Sequence, residues 1–446
     1  MSRNQGLDTD CVLQVLVATP AHSRLSGPLH YLSDQNHPPG TLVRVPLGQR
    51  ETLGLVWPSE AHAAPPPEVR LRPILEAWVG LPALDASWLS LVTFTASYYQ
   101  RSLGELALSS LPPALKSLRQ ATLDRRLAML SSPTPQAPST DTSPWPELTQ
   151  EQSLVLQQMA RANGPFLLHG STGSGKTEVY LRRAAEVLAS DPGAQVLIMV
   201  PEINLTPQLT QRVMDRFASL GERAIVAMHS GLTPAQRLRS WLLAHTGQAR
   251  VILGTRLAVL ASLPQLKLIV VDEEHDPSYK QQEGARYSAR DLAVYRGHLQ
   301  QAQVVLGSAT PSLESWHHSR PAVSGESAPR YQRLSMPSRM GQGAMPQWRR
   351  VDMGQQPKGT LIAPPLLDAM RERLQRGEQV LVLLNRRGYA PVLHCADCGW
   401  KSDCPHCSAY RVFHKSDRSL RCHHCSLTQS VPRACPSCGN HDIGAL

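Results

Sequence analysis

The stretch Gly170-Ser171-Thr172-Gly173-Ser174-Gly175-Lys176-Thr177 constrains this chain more than any other. It fits G-x-x-x-x-G-K-[ST] and follows the apolar run Phe166-Leu167-Leu168-His169. Such a loop needs a strand to deliver it and a helix to receive it. Its backbone N–H groups curl round phosphate oxygens, and the helix N-terminus adds partial positive charge. The surrounding chain is therefore expected to be an α/β layer. Lys176 would reach the β- and γ-phosphates of a nucleotide such as ATP, and Thr177 would ligate Mg²⁺.

The flanking pattern agrees. Apolar runs at Phe166–His169, Val196–Val200, Ile225–Met228, Val251–Leu253, Leu268–Val271 and Val304–Leu306 alternate with helical stretches. Buried parallel strands read this way. One run ends in Asp272-Glu273-Glu274-His275. Acids at the carboxyl end of a parallel strand lie beside the phosphate loop. Asp272 is placed to hold the Mg²⁺ shell, and Glu273 to orient the attacking water. His275 is placed to sense the nucleotide state.

Elsewhere the chain divides by composition. Residues 1–113 hold β-rich runs at Val12–Val17, Leu42–Val45 and Thr52–Trp57, then a helical stretch, Asp85–Arg101. Residues 114–146 comprise an amphipathic stretch, Leu115–Leu130, and a linker. Five prolines and seven Ser/Thr among sixteen residues, Ser131–Pro146, cannot build a core. The nucleotide lobe is expected over 147–318. Within 319–446, Ser319–Lys358 lacks periodicity, and a helix (Pro365–Arg376) and a strand (Gln379–Leu384) follow.

Eight of the nine cysteines lie between Cys395 and Cys438, in four C-x-x-C pairs. They supply ligands for two closed Cys₄ zinc sites, structural rather than catalytic, in a module spanning 394–439. Spacing alone leaves nested and sequential pairing open. Cys11 reads as a small core residue. With one cysteine in nearly 400 residues, a disulfide-stapled secreted protein is excluded. No run approaches the ~18 apolar residues of a membrane span, and no signal-peptide pattern opens the chain. The expectation is a protein of a reducing cytoplasm, with no membrane partner. Lys plus Arg is 45 against 35 Asp plus Glu, a net charge of +10 over 446 residues, which weakly favours a polyanionic partner.

Asp272-Glu273-Glu274-His275 resembles the DEEH box of superfamily 2 helicases. Leu148-Thr149-Gln150-Glu151-Gln152 resembles the adenine-reading segment of that lobe, which points to Gln152. Gly254-Thr255-Arg256 resembles its strand-tracking segment. Gly307-Ser308-Ala309-Thr310 resembles the motif coupling hydrolysis to movement, through Ser308 and Thr310. With Val200–Gln208, His229–Leu232 and Asn385–Pro391, the chain resembles the primosomal protein N′ (PriA) family of replication-restart helicases. The resemblance implies an α/β fold: a RecA-like P-loop lobe, an N-terminal β-rich domain that binds DNA 3′ ends, and a zinc module inserted in an incomplete second RecA-like lobe.

It implies an ATP-dependent 3′→5′ DNA helicase that remodels abandoned forks and starts primosome assembly. Forked and single-stranded DNA, single-strand binding protein and other primosome proteins would be its partners. Nested zinc pairing is implied too: Cys395, Cys398, Cys435 and Cys438 on one ion, and Cys404, Cys407, Cys422 and Cys425 on the other. DNA contacts are expected at Arg44, in the N-terminal domain, at Arg256, and at Tyr279, Lys280, Arg286, Tyr287 and Arg290 of an aromatic-rich loop. Three features depart from the family. His30 replaces an acid of the 3′-end pocket, Ala285 replaces an aromatic, and about 35 residues before the motor leave little room for a winged-helix domain. The second lobe stops at Leu446 without a distal arginine motif, so a truncated helicase is expected. The alternatives are a non-catalytic fork-binding zinc module that retains nucleotide binding, and another superfamily 2 translocase.

Overall fold

The structure is a computed structural model that describes residues 11–19, 27–58, 70–131, 145–202, 205–321, 328–340, 347–357, 360–383, 392–407, 410–414, 417–423 and 425–445. Most of the Pro/Ser/Thr linker and the segment 385–391 fall outside these. The chain divides into two units, residues 1–343 and 344–446.

The first unit opens with a six-stranded sheet built from β1 (Cys11–Val17), β2 (Leu29–Ser33), β3 (Leu42–Leu47), β4 (Arg50–Val56), β5 (Arg72–Pro73) and β6 (Glu76–Ala77). Their order is β5-β2-β1-β4-β3-β6, antiparallel except for β2–β5. Alternation splits its side chains between two cores. Leu13, Val15 and Val17 join Val43 and Val45 on one face. Leu16, Leu42, Leu53 and Leu55 face the other way, into a cluster that continues through Trp88, Leu106 and Leu115 to Trp241 and Ile269.

Three helices follow: α1 (Ala86–Tyr98), α2 (Leu103–Ser109) and α3 (Gln120–Ser131). Asp85 caps α1, accepting from the Trp88 N–H. The expected single helix over Leu115–Leu130 is broken. A 3₁₀ turn covers Pro113–Ser117, and Leu118 is extended before α3 starts. Leu115 and Leu118 are both buried, so packing sets the break. No element was expected over α2, and seven residues are too short for a periodic signal.

The α/β layer is α4 (Gln150–Arg161), β7 (Phe166–Gly170), α5 (Lys176–Ser190), β8 (Gln195–Met199), α6 (Pro207–Arg216), β9 (Ile225–Met228), α7 (Pro234–His245), β10 (Val251–Gly254), β11 (Leu266–Asp272), α8 (Ala289–Gln300), β12 (Gln303–Ser308), α9 (Leu313–His318) and β13 (Gln332–Met336). The strands form one parallel sheet ordered β13-β7-β12-β11-β8-β10-β9. The six apolar runs are six of these strands. The seventh, β13, comes from the stretch read as aperiodic, so the sheet extends beyond residue 318. It is an edge strand with one buried face, where only Leu334 and Met336 are fully buried, among Gln, Arg and Ser. Direct contacts seat the N-terminal helices on this layer. The Trp88 Nε1–H donates to the Leu260 carbonyl at 2.8 Å, and the Phe94 and Tyr295 rings stack with centroids 3.7 Å apart.

In the second unit, α10 (Pro364–Gln375) has no buried residue. The strand expected over Gln379–Leu384 is not formed at 379–383. Leu381 is 96% exposed and Leu383 89%. A strand is held by its neighbours, and these residues pair with none among the described residues. Small sheets follow: β14 (Leu393–Cys395) pairs with β18 (Ile443–Ala445), and β15 (Val412–His414), β16 (Ser419–Arg421) and β17 (Thr428–Ser430) form a three-stranded meander. No helix of the described residues is long and apolar enough to cross a membrane.

Candidate nucleotide site and zinc centres

The phosphate loop leaves the carboxyl end of β7 and enters α5 through Gly175, which sits at φ +82°. A Cβ at that position would meet the Gln152 Nε2 at 2.4 Å. Only glycine fits both conditions. Thr172 and Gly173 are exposed at the loop's crown, while Ser174 is buried. The Lys176 side chain is 8% exposed and its Nζ donates to the Gly170 carbonyl at 3.0 Å, so the cation is folded back over the loop. Thr177, in the first turn of α5, is half-buried.

Gln152 is fully buried. Its Oε1 accepts from the Thr149 N–H at 2.9 Å in a capping box, and its Nε2 lies 3.5 Å from the Ser174 carbonyl. To read an adenine, it must leave that box.

Asp272 ends β11, between β8 and β12. Burial, reinforced by the neighbouring Glu273, pushes its carboxyl up to about 6. The Tyr180 hydroxyl opposes this by donating to Oδ1 at 3.1 Å. Tyr180 rises from α5 and passes over Gly307 of β12, where a Cβ would stand 1.5 Å from the hydroxyl. The glycine of the Gly307-Ser308-Ala309-Thr310 segment thus makes room for a tyrosine that holds the acid. Tyr180 had no assigned role in the sequence reading, because nothing local links residues 92 apart.

The next acids diverge. Glu273 takes the left-handed backbone conformation, φ +46°, and its carboxylate lies 3.6 Å from the His275 Nδ1. Glu274 is 1% exposed and gathers the Ser312 N–H (2.6 Å), the Ser312 and Ser315 hydroxyls (3.0 and 2.9 Å) and the Arg290 guanidinium (3.4 Å). It ties β11 to α9 and was also missed. His275 turns toward the end of β12. Its Nδ1 is 2.8 Å from the Ser308 Oγ, its Nε2 is 3.5 Å from the Thr310 Oγ1, and the Thr310 N–H donates to the Ser308 Oγ. The structure brings these three expected coupling residues together.

The expected DNA contacts divide. Arg44 is 5% exposed, pairs with Glu51 and Glu76, and donates to the Lys116 and Leu118 carbonyls. It braces the N-terminal sheet against the segment before α3, and its guanidinium is engaged within the protein. Tyr279 and Tyr287 are 2% and 5% exposed. The Tyr279 hydroxyl donates to the Asp272 carbonyl at 2.7 Å. Their rings are packed among core residues rather than presented at the surface. Arg290 is spent on Glu274 and Asp291. Arg256 is half-buried, and its guanidinium holds the Ser278 and Lys280 carbonyls. Lys280 and Arg286 are exposed.

In the second unit the eight cysteines separate into Cys395, Cys398, Cys435 and Cys438, and Cys404, Cys407, Cys422 and Cys425. Sulfur pairs stand 3.5–3.6 Å apart across each set. That exceeds the ~2.05 Å of a disulfide. It approaches the edge of a tetrahedron whose centre lies ~2.3 Å from each sulfur, the zinc–thiolate distance. Two Cys₄ clusters therefore fit two zinc ions, nested in the implied pairing. The set is closed, so the metal would supply cross-linking rather than an open coordination position.

Three families match. The PriA 3′DNA-binding domain covers residues 14–112, DEAD/DEAH box helicase 149–318, and the PriA DNA helicase Cys-rich region 404–429. Replication restart protein PriA of Haemophilus influenzae is 43% identical over 295 residues, 66% of this chain and 39% of the relative. That of Bacillus subtilis is 37% identical over 68% of this chain and 37% of its own length. That of Rickettsia prowazekii is 34% identical over 92% of this chain and 60% of its own length. The chain thus spans from about two fifths to three fifths of the curated relatives it matches. On its 3′-DNA-binding domain, its helicase lobe and its nested Cys₄ clusters, the chain belongs to the PriA replication-restart helicase family.

Proposed function

We propose that the chain is the ATP-driven, DNA-engaging portion of a 3′→5′ replication-restart helicase of the cytoplasm. It engages forked and single-stranded DNA beside single-strand binding protein and other primosome proteins. One observation carries the reading: phosphate loop, acids and coupling residues meet at the carboxyl edge of a single parallel sheet.

The placement supports these roles. The loop 170–177 cradles the phosphates of ATP and Lys176 swings from the Gly170 carbonyl to the β- and γ-oxygens. Thr177 and Asp272 would hold Mg²⁺, with Tyr180 fixing the Asp272 rotamer. Glu273 positions the attacking water and accepts its proton. His275, next to Glu273, passes the nucleotide state to Ser308 and Thr310. Gln152 reads adenine once released from its capping box. Arg256 sets the loop carrying Lys280 and Arg286, which meets the strand.

Direction is testable by ATP-driven streptavidin displacement from single strands biotinylated at one end. Movement 3′→5′ clears streptavidin from the 5′ end and leaves the 3′ end blocked. Equal displacement from both ends, or the reverse bias, contradicts the reading.

A further inference from the structure

Gln152 is 0% exposed, so a base can reach its amide only if something moves aside. The nitrogen of that amide is poorly occupied. It lies 3.5 and 3.4 Å from the Ser174 and Gly175 carbonyls and 3.6 Å from the Met340 Sδ. All three exceed the ordinary N–H···O range of about 2.7–3.2 Å. A thioether is in any case a weak acceptor. A buried amide donor left with long contacts gains from a better acceptor, such as a ring nitrogen of a base.

The cover comes from the strap that follows β13. It is fastened to the nucleotide elements at three points. The Ser171 N–H donates to the Met336 carbonyl at 3.2 Å, and the Met340 N–H donates to the Gly173 carbonyl at 2.9 Å. The Ser338 hydroxyl donates to Glu151 at 2.7 Å. Two anchors thus lie in the phosphate loop and the third sits beside Gln152. Gly175 leaves the groove in which the sulfur rests, since a Cβ there would stand 2.5 Å from it. Of the three groups round the amide nitrogen, two are backbone carbonyls fixed at the entry to α5. The third, Met340, is an unbranched side chain and 50% exposed, with solvent to swing into.

We propose that Met340 gates the adenine subsite. Seated on Gln152, its thioether shuts the base out. Swung into solvent, it lets Gln152 turn from its capping box to the base. The strap is tied to the loop that receives the phosphates, so loop occupancy and gate position bias one another. The gate rests on the ATP-binding reading above and deepens it. Apparent affinity for a base-bearing ligand then falls with the fraction of chains whose gate stands open.

The test is isothermal titration calorimetry on the whole chain. It compares ADP, which carries the base, with inorganic tripolyphosphate, which fills the phosphate loop alone. Met340→Ala removes the cover at an exposed position, so folding should tolerate it. This variant should bind ADP up to roughly 10-fold more tightly than the wild-type chain, with tripolyphosphate affinity unchanged. Ser338→Ala, which frees the strap from Glu151, should shift ADP affinity in the same direction by less. ADP binding by Met340→Ala that is no tighter, or an equal gain for tripolyphosphate, overturns the gate and leaves nucleotide binding standing. Binding of neither ligand by the wild-type chain overturns the ATP reading as well.

Discussion

The two units hold their shape by different means. The first buries continuous apolar surface: β7, β8, β10, β11 and β12 run almost entirely through the core, and Arg296 is enclosed with them. Among its described residues the second buries little beyond Ala363, Leu393, Leu420, two serines and four of its cysteines, and its helix α10 has no buried side chain. A segment of that kind cannot offset its ordering entropy by hydrophobic burial alone. The motor lobe is a core that carries a site. The cysteine unit is a pair of sites that stand in for a core.

The largest expected effect breaks that contrast directly. Removing zinc with a strong chelator should unfold the region around residues 393–445, each structural site supplying about 10 kcal/mol or more of coupled folding free energy. Nucleotide binding by the motor lobe should survive. Elemental analysis should find two zinc ions per chain, and circular dichroism with nucleotide titration reads the rest. Loss of nucleotide binding together with the metal would erase the distinction.

Next comes Glu274→Ala. It removes the buried acceptor of the Ser312 N–H and of the Ser312 and Ser315 hydroxyls, while Arg290 keeps Asp291, at about 1–3 kcal/mol. Thermal melting should report this in the motor lobe alone. Gly307→Ala should cost about 1–3 kcal/mol through overpacking against Tyr180.

The smallest effects sharpen the site. Tyr180→Phe should cost about 1 kcal/mol and move the Asp272 titration further up, since the hydroxyl's hydrogen bond holds it down. Asp272 is raised in the folded chain, so its protonated form is the favoured one there. As pH rises between about 4 and 6, the folded state loses this advantage and stability should decline. Below about 6 the proton competes with Mg²⁺, and Mg²⁺-nucleotide affinity should fall. In Tyr180→Phe that fall should begin at higher pH. Lys280→Ala and Arg286→Ala should each weaken strand binding modestly and lower the salt slope by about 1, whereas Tyr279→Phe should leave strand affinity unchanged.

Much of this was legible in the residues themselves. The phosphate loop lies within eight consecutive positions, and fully buried strands announce themselves as apolar runs. The nested thiolates were legible as two sites, although the pairing rested on resemblance. What failed to show was long-range or one-sided. β13 hides a two-residue apolar face among polar neighbours. Tyr180 and Glu274 act through partners far away in sequence. Tyr279, Tyr287 and Arg44 have the residue types of a DNA contact, and their burial and pairing are not visible in the residue types. The strand expected at Gln379 needed neighbours that an apolar run cannot supply.

The account turns on the motor lobe being a working nucleotide site. DNA-stimulated ATP hydrolysis measures it, with Lys176→Ala as control. The account predicts hydrolysis that rises with single-stranded DNA and falls on the order of 10²-fold or more in Lys176→Ala, with the melting temperature little changed. Equal rates for the two chains, with or without DNA, would contradict it.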